Sequence, residues 1–361
     1  MKHYNLAVFP ADGIGPEVIG ASQRVLRRLE QLHGGLRFDF QEFGWGSAHY
    51  ERTGAMMPAD GLGQLVAGGF DGLLMGPVGS PTIPDHLTLW GLLLPIRQGF
   101  DQYVNLRPMR LLEGVVGPLR NPEQRPINMV CVRENSEGEY AGVGGRVHRG
   151  RAQEVALQSI VFTRAGTERV VRFAFDYAQR HGRGLVTNVT KSNSMQFNMV
   201  FWDEVFQQVA ADYPGQATDQ QLIDSMTARM VSQPESVDVF VASNLFGDIL
   251  TDLGAALTGS MGLAPSANLN PERQFPSLFQ AIHGSAFDLV GRNVANPIAS
   301  IWSAQMMLEF LGETELAARL MGAIEAVLRE GRVRTRDLGG SSSTTEMTDA
   351  MCQALETGPA R

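Results

Sequence analysis

Residues 9–20 read FPADGIGPEVIG, and a short apolar run, NLAVF, leads into them. Gly13 and Gly15 mark a tight turn. Beyond Pro16 and Glu17, apolar residues recur at Val18, Val25, Leu29 and Leu32 until Gly34 and Gly35 stop the pattern. The order is strand, tight turn, amphipathic helix. A dinucleotide-binding turn of the form G-x-G-x-x-G needs a third glycine where Val18 stands. The chain thus opens like a nucleotide-handling α/β unit without the usual Rossmann fingerprint.

Further β-prone runs, DGLLMG, INMVCV, GLVTNV and VDVFVA, are separated in several places by longer helical patterns, as crossover connections in an α/β protein require. A length of 361 residues with 43% hydrophobic content supplies two domains of ordinary size or one large α/β unit. From Gly142 to Thr163 the alternation is irregular and helix caps are lacking, which reads as an extended arm or hairpin. Leu316–Arg329 reads as a helix, and GGSSSTTEMTD from Gly339 as a polar connection whose threonines cap the next one. The net charge of -8, without a long basic block, argues against a nucleic-acid partner. Cys131 and Cys352 form neither a CxxC pair nor a zinc cluster, which suits a reducing compartment. No secretory signal is recognisable, and Asp248 and Asp252 interrupt the best candidate for a membrane span, so a cytoplasmic enzyme is expected.

Several clusters carry candidate chemistry. VASNLFGDILTDLGAALTG sets Asp248 and Asp252 four apart on one helical face, beside Ile249, Leu250 and Leu253. Adjacent carboxylates repel, and a hard cation such as Mg²⁺ or Mn²⁺ removes that penalty; a solvated acidic pair near a helix start is the plainer alternative. Asp224 in QLIDSMTARM is an isolated third acid. Lys191 follows GLVTNV at a strand exit, as a base or an ordinary surface lysine. Tyr140 in CVRENSEGEYAG offers a phenol for proton donation or for packing at a turn. Arg97, Arg107 and Arg133 carry forks that match a small dicarboxylate if one pocket gathers them, and are otherwise solvated charges. In AIHGSAFDLVGRNVANP, His283, Gly284 and Ser285 form a polar turn. Asp288 there can accept from both ribose hydroxyls of an adenosine and disfavours a 2′-phosphate; a capped loop closed by Asn296 and Pro297 is the alternative.

Taken together, DGIGPEV, NLRP, VRENSEGEYAG, TKSN, SNLFGDILTDLG, PSANLNPE and HGSAFD resemble the metal-dependent β-decarboxylating dehydrogenases, the family of isopropylmalate, isocitrate, tartrate and D-malate dehydrogenases. The resemblance covers nearly the whole chain, and VRENSEGEYAGVGGR, PDHLTLWG and FDQYVNLRP look nearest to the tartrate/D-malate branch. It implies an isopropylmalate dehydrogenase-like two-domain α/β fold with a doubly wound sheet. Residues 1–103 and 262–361 would form the larger domain with the nucleotide-side loops, and residues 104–261 a middle domain with the dimer interface and arm, a cleft lying between the two.

The resemblance also implies roles. Lys191 would deprotonate the substrate 2-hydroxyl and Tyr140 would protonate the enolate after CO₂ leaves. Asp224, Asp248 and Asp252 would carry Mg²⁺ or Mn²⁺, and Arg97, Arg107 and Arg133 would hold the β-carboxylate. Trp90, Leu93 and Leu94 would meet the variable end of the acid. NAD would meet Ile14, Asn193, His283, Gly284, Ser285, Ala286, Asp288 and Asn296. A homodimer is implied, with Lys191 and Asp224 entering the site from the partner subunit, and a monovalent cation such as K⁺ is compatible with it. The expected reaction is NAD-dependent oxidation of D-malate or tartrate at C2, with D-malate going to pyruvate, CO₂ and NADH. A 3-isopropylmalate dehydrogenase is the enzyme alternative, with Leu93 and Leu94 as a wall for an alkyl group; a catalytically silent regulatory or scaffold subunit is the other. Ala11 stands where the family has glycine, and Phe287 where proline is usual. The Ser/Asn pattern associated with isocitrate is lacking.

Overall fold

The opening run forms β1 (Lys2–Phe9), whose last four residues, Leu6 to Phe9, are fully buried. A strand covered on both faces calls for an unbroken apolar run rather than alternation. The computed structural model describes residues 1–120 and 125–357, and the chain divides into two compact units. One comprises Met1–Gln102, Arg110–Arg120 and Ala255–Arg361; the other comprises Tyr103–Met109 and Asn121–Gly254. No helix among the described residues is long and apolar enough to cross a membrane.

In the first unit, β1 is followed by α1 (Gly15–His33), β2 (Leu36–Glu42), α2 (Ser47–Thr53), α3 (Gly61–Gly68) and β3 (Gly72–Met75). Next comes one continuous helical stretch, α4 (Asp85–Thr88), a π-helical turn at Leu89–Leu93 and α5 (Leu94–Gly99). In the second unit the order is β4 (Val104–Arg110), β5 (Asn128–Glu134), β6 (Gly138–Val147), β7 (Val155–Val161), α6 (Arg164–Arg180), β8 (Leu185–Thr190), α7 (Asn198–Ala210), β9 (Ala217–Leu222), α8 (Ile223–Ser232), β10 (Val239–Ala242) and α9 (Asn244–Leu257). The chain then returns to the first unit as β11 (Pro265–Leu269), β12 (Ser277–Ala281), α10 (Ile298–Phe310), α11 (Thr314–Glu330) and α12 (Thr344–Thr357).

The first unit orders its strands β2-β1-β3-β12-β11, parallel except where β11 runs antiparallel to β12. Ala7, Phe9, Leu73 and Met75 point to one face and meet Phe43, Trp45, Leu65, Leu92 and Ile96. Alternate residues point to the other face, where α10 lies against β11 and β12 and packs on α1 and α11. Helices therefore cover both faces, which makes this a doubly wound sheet with one antiparallel pair. The second unit orders its strands β4-β5-β10-β8-β9, with β5, β10, β8 and β9 mutually parallel. Its β6 and β7 form a separate antiparallel hairpin over the expected arm.

The start of α12 differs from the sequence reading. Ser343, not a threonine, caps it: its hydroxyl accepts the Glu346 N–H at 3.1 Å while the Glu346 carboxylate accepts the Ser343 N–H at 2.7 Å. This is a reciprocal capping box. Thr344 and Thr345 instead donate to Ala295 O and Asn293 Oδ1, tying α12 to the segment before α10.

The opening turn is built from contacts distant in sequence. Ile14 N–H donates to Ser285 O at 2.9 Å, and a Cβ on Gly13, at φ +59°, would lie 1.9 Å from that same oxygen. Buried Asp12 accepts from Ser47 N, the Ser47 hydroxyl and Gly79 N at 2.7–2.8 Å, binding three loops together. Ala11 has φ 56°, a left-handed conformation that suits glycine. A Cβ there costs about 1–2 kcal/mol, offset in part by the roughly 0.5–1 kcal/mol of chain entropy that glycine loses on folding. Ala11→Gly is therefore expected to raise stability by about 0.5–1 kcal/mol, seen as a higher urea midpoint at unchanged slope. A lower midpoint would show that the turn carries no such strain.

Candidate active site

The turn joining β5 to β6 and the first turns of α9 gather five of the expected residues in the second unit. Arg107 on β4 and Arg133 at the end of β5 are both buried, and both pair with Asp248 on α9, Arg107 at 3.3 Å. Asn244 Oδ1 accepts from Arg133 at 2.7 and 3.2 Å, fixing the guanidinium plane. The Arg133 guanidinium lies 5.8 Å from the centre of the Tyr140 ring. A Cβ on Gly247 would lie 2.6 Å from Arg133 Cγ, so a side chain at that point of α9 would displace the arginine. Burial, and then the neighbouring Arg133 charge, lower the Arg107 pKa to about 10, which still leaves it cationic at neutral pH. Cys131, between them on β5, is pushed up to about 12 by burial and carries no thiolate.

Asp252 lies one turn beyond Asp248. Its pKa is raised by partial burial and then by the Asp248 charge. Two repelling carboxylates on one helical face are a fitting donor pair for a hard divalent cation. Among the described residues no group of three or more His, Cys, Asp or Glu side chains is placed so that it could hold a metal ion within the chain. Asp224, in the first turn of α8, is engaged elsewhere: Lys191, just past β8, donates to it at 2.8 Å, and that hydrogen bond holds the Asp224 carboxyl below its usual range. Asn193 lies exposed in the turn after Lys191. The chain thus presents two groups, Arg107–Arg133–Tyr140–Asp248–Asp252 and Lys191–Asp224.

Glu134 supports the first group. Fully buried, it accepts from Ser136 N, the Ser136 hydroxyl and Glu137 N at 2.8–3.1 Å, shaping the turn that leads to Tyr140. Burial nonetheless pushes its pKa from 4.5 up to about 7, against the pull of those donors. In that window the folded chain keeps a proton that the unfolded chain has released, so this group's contribution to stability falls as pH rises through it. Glu134→Gln is expected to flatten the stability slope between about pH 4.5 and about pH 7 in urea titrations. An unchanged slope would assign the titration to another group.

In the first unit, a cleft of about 670 Å³ is lined by Ile14, Met261, His283, Gly284, Ala286, Asp288, Leu289, Ala295, Asn296, Arg336 and Asp337 among others. Its size and mixed lining suit a nucleoside. His283 Nε2 and Ser285 Oγ are buried polar atoms with no protein hydrogen-bond partner, the condition a polar ligand relieves. Burial lowers the His283 pKa and keeps the ring neutral. Asn296 has structural duties too, donating to Asp337 at 2.9 Å and accepting from Ile298 N at the head of α10. Sequence reasoning did not single out Arg336 or Asp337. They sit in a short polar turn, RTRD, with no periodicity to mark it.

The helical stretch 85–99 of the first unit carries the remaining residues. Arg97 is buried in α5; Leu93 packs in the core and Leu94 is 1% exposed, whereas Trp90 is 39% exposed. Of the three residues expected at the variable end of the acid, only the tryptophan faces solvent. Phe287, in place of the family's proline, is also exposed and opens a short 3₁₀ turn that carries Asp288.

The isocitrate/isopropylmalate dehydrogenase family model matches residues 5–351. A probable tartrate dehydrogenase/decarboxylase of Agrobacterium vitis is 52% identical over 355 residues, with 98% of each chain covered. The D-malate dehydrogenase [decarboxylating] of Escherichia coli strain K12 is 48% identical, covering 98% of this chain and 99% of its own. The crystal structure of isocitrate dehydrogenase from Methylococcus capsulatus superposes with a TM-score of 0.86 at 34% identity, over 98% of this chain and 99% of that one. With motifs, fold and matches in agreement along nearly its full length, the chain belongs to the isocitrate/isopropylmalate dehydrogenase family, on the side of its tartrate and D-malate dehydrogenases.

Proposed function

We propose that this protein oxidises D-malate or tartrate at C2 with NAD and a divalent cation, and decarboxylates the resulting β-keto acid. The observation that carries this reading is the convergence of two buried arginines, a phenol and a pair of carboxylates on the β5–β6 turn and α9. Arg107 and Arg133 carry guanidinium forks that suit a carboxylate of a small diacid. Lys191 takes the C2 hydroxyl proton while the C2 hydrogen leaves as hydride; after the β-carboxylate departs as CO₂, Tyr140 delivers a proton to C3. Asp224 orients Lys191 Nζ from 2.8 Å. When bound, NAD supplies the hydride acceptor, and Mg²⁺ or Mn²⁺ on Asp248 and Asp252 supplies Lewis-acid polarisation at the C2 oxygen. In the first unit, His283, Asp288 and Asn296 would hold the adenosine of NAD.

Leu93 and Leu94 are buried, so they offer little surface as an alkyl wall for 3-isopropylmalate, which supports the smaller acids. Initial rates with NAD and Mn²⁺ on D-malate, tartrate and 3-isopropylmalate, with and without KCl, test this directly. A preference for 3-isopropylmalate would reject it.

The reading includes a homodimer. Val143, Val147, Val155 and Leu157 on the β6–β7 hairpin are 50–65% exposed, more apolar surface than a solvated arm needs. If Lys191 of one copy serves Tyr140 of the other, mixing inactive Lys191→Ala and Tyr140→Phe proteins creates hybrids with one intact site. Subunit exchange is then expected to restore roughly one quarter of wild-type activity. No recovery in verified hybrids would place both residues in the same subunit's site.

A further inference from the structure

We propose that Glu139 is a positioning residue that locks Tyr140 to α9, so that proton delivery depends on it; this rests on Tyr140 being the acid. Glu139 is buried as the second residue of β6, one residue before Tyr140. Its Oε1 accepts the Ser243 hydroxyl at 2.8 Å and its Oε2 accepts Leu245 N–H at 3.1 Å, both at the head of α9. Its main-chain carbonyl accepts Gln158 Nε2 at 2.9 Å from β7. The residue is thus held by the hairpin on one side and by the acid-bearing helix on the other.

A helix start ordinarily finds its cap in the residue just before it. Here Ser243 occupies that place and its hydroxyl accepts Phe246 N–H at 3.5 Å while donating to Glu139, and a carboxylate about a hundred residues earlier takes the neighbouring Leu245 N–H. The negative charge also sits at the positive end of the α9 dipole. Tyr140 follows directly, in the irregular stretch between Gly138 and Val143 where the β6–β7 register shifts, so the anchored Glu139 restricts the direction in which the phenol leaves the chain. The same carboxylate holds the start of the helix on which Asp248 and Asp252 lie. Glu139 therefore sets the distance from the phenol to the two acids without itself meeting the substrate.

The test compares wild type, Glu139→Gln, Ser243→Ala and Tyr140→Phe as full-length proteins. Glu139→Gln keeps the shape and one acceptor, and Ser243→Ala removes a single donor, so both are expected to fold if the larger Glu139→Ala change does not. In metal-free protein carrying [ζ-¹³C]tyrosine, the Tyr140 resonance, assigned by its loss in Tyr140→Phe, is expected to shift or broaden in Glu139→Gln. With the acid that the wild type oxidises best, kcat is expected to fall about tenfold or more, since misplacement of a reacting group by about 1 Å costs up to ~10²-fold. The pre-steady-state NADH burst and the Mn²⁺ affinity should stay within about twofold, because only the later proton transfer is displaced. An unchanged Tyr140 resonance overturns the proposal, as does a parallel fall in burst, kcat and Mn²⁺ affinity, which would mark a merely structural role. If Tyr140→Phe itself leaves kcat intact, the acid assignment fails and this inference with it; loss in Tyr140→Phe with none in Glu139→Gln rejects Glu139 alone.

Discussion

Lys191→Ala is expected to lower kcat about 10³-fold, the middle of the range for losing a general base. Lys191 is partly exposed just past the end of β8, and the hydrogen bond of its side chain to Asp224 is a solvent-accessible pair. Such pairs contribute about 0–1 kcal/mol to folding. The variant should therefore melt within a few degrees of wild type while losing turnover. The useful comparison is kcat beside a thermal melt of the same preparation. Near-normal turnover would remove Lys191 from the chemistry, and a melt displaced as severely as the rate would make its role structural.

Asp252→Asn is expected to weaken Mn²⁺ binding by about 10²-fold or more, since a neutral amide replaces one of the charged oxygen donors a hard cation requires. Its effect on folding should have the opposite sign. Burial and the Asp248 charge both disfavour the ionised Asp252 carboxyl, so removing that charge relieves repulsion in the cation-free protein. A residue whose replacement stabilises the fold while disabling the site is retained for function. Mn²⁺ titration followed by denaturation in a chelating buffer reads both effects. Unchanged Mn²⁺ affinity would exclude Asp252 as a ligand.

Much of this was legible in the sequence because it is locally encoded. NLAVF, INMVCV and VDVFVA are apolar runs that must be covered on both faces, and all three are buried strands. The i, i+4 spacing of Asp248 and Asp252 survives as one helical face because α9 runs unbroken through both. Contacts that join distant segments were less visible. Nothing near Glu139 in the chain announces that it holds Ser243 and Leu245, and nothing near Asp12 announces Ser47 and Gly79. The antiparallel β11–β12 pair was likewise hidden, since strand direction depends on pairing partners rather than on composition. Ala11 was readable as a departure from glycine, but only its φ of 56° gives that departure a physical cost.

Measuring NADH and CO₂ together during one incubation of the protein with D-malate, NAD and Mn²⁺ joins oxidation to decarboxylation in a single readout. Equal amounts of the two, with pyruvate as the remaining product and both lost on chelation, are expected. NADH formed without CO₂, or undiminished turnover in the presence of chelator, would contradict a metal-assisted β-decarboxylating dehydrogenase.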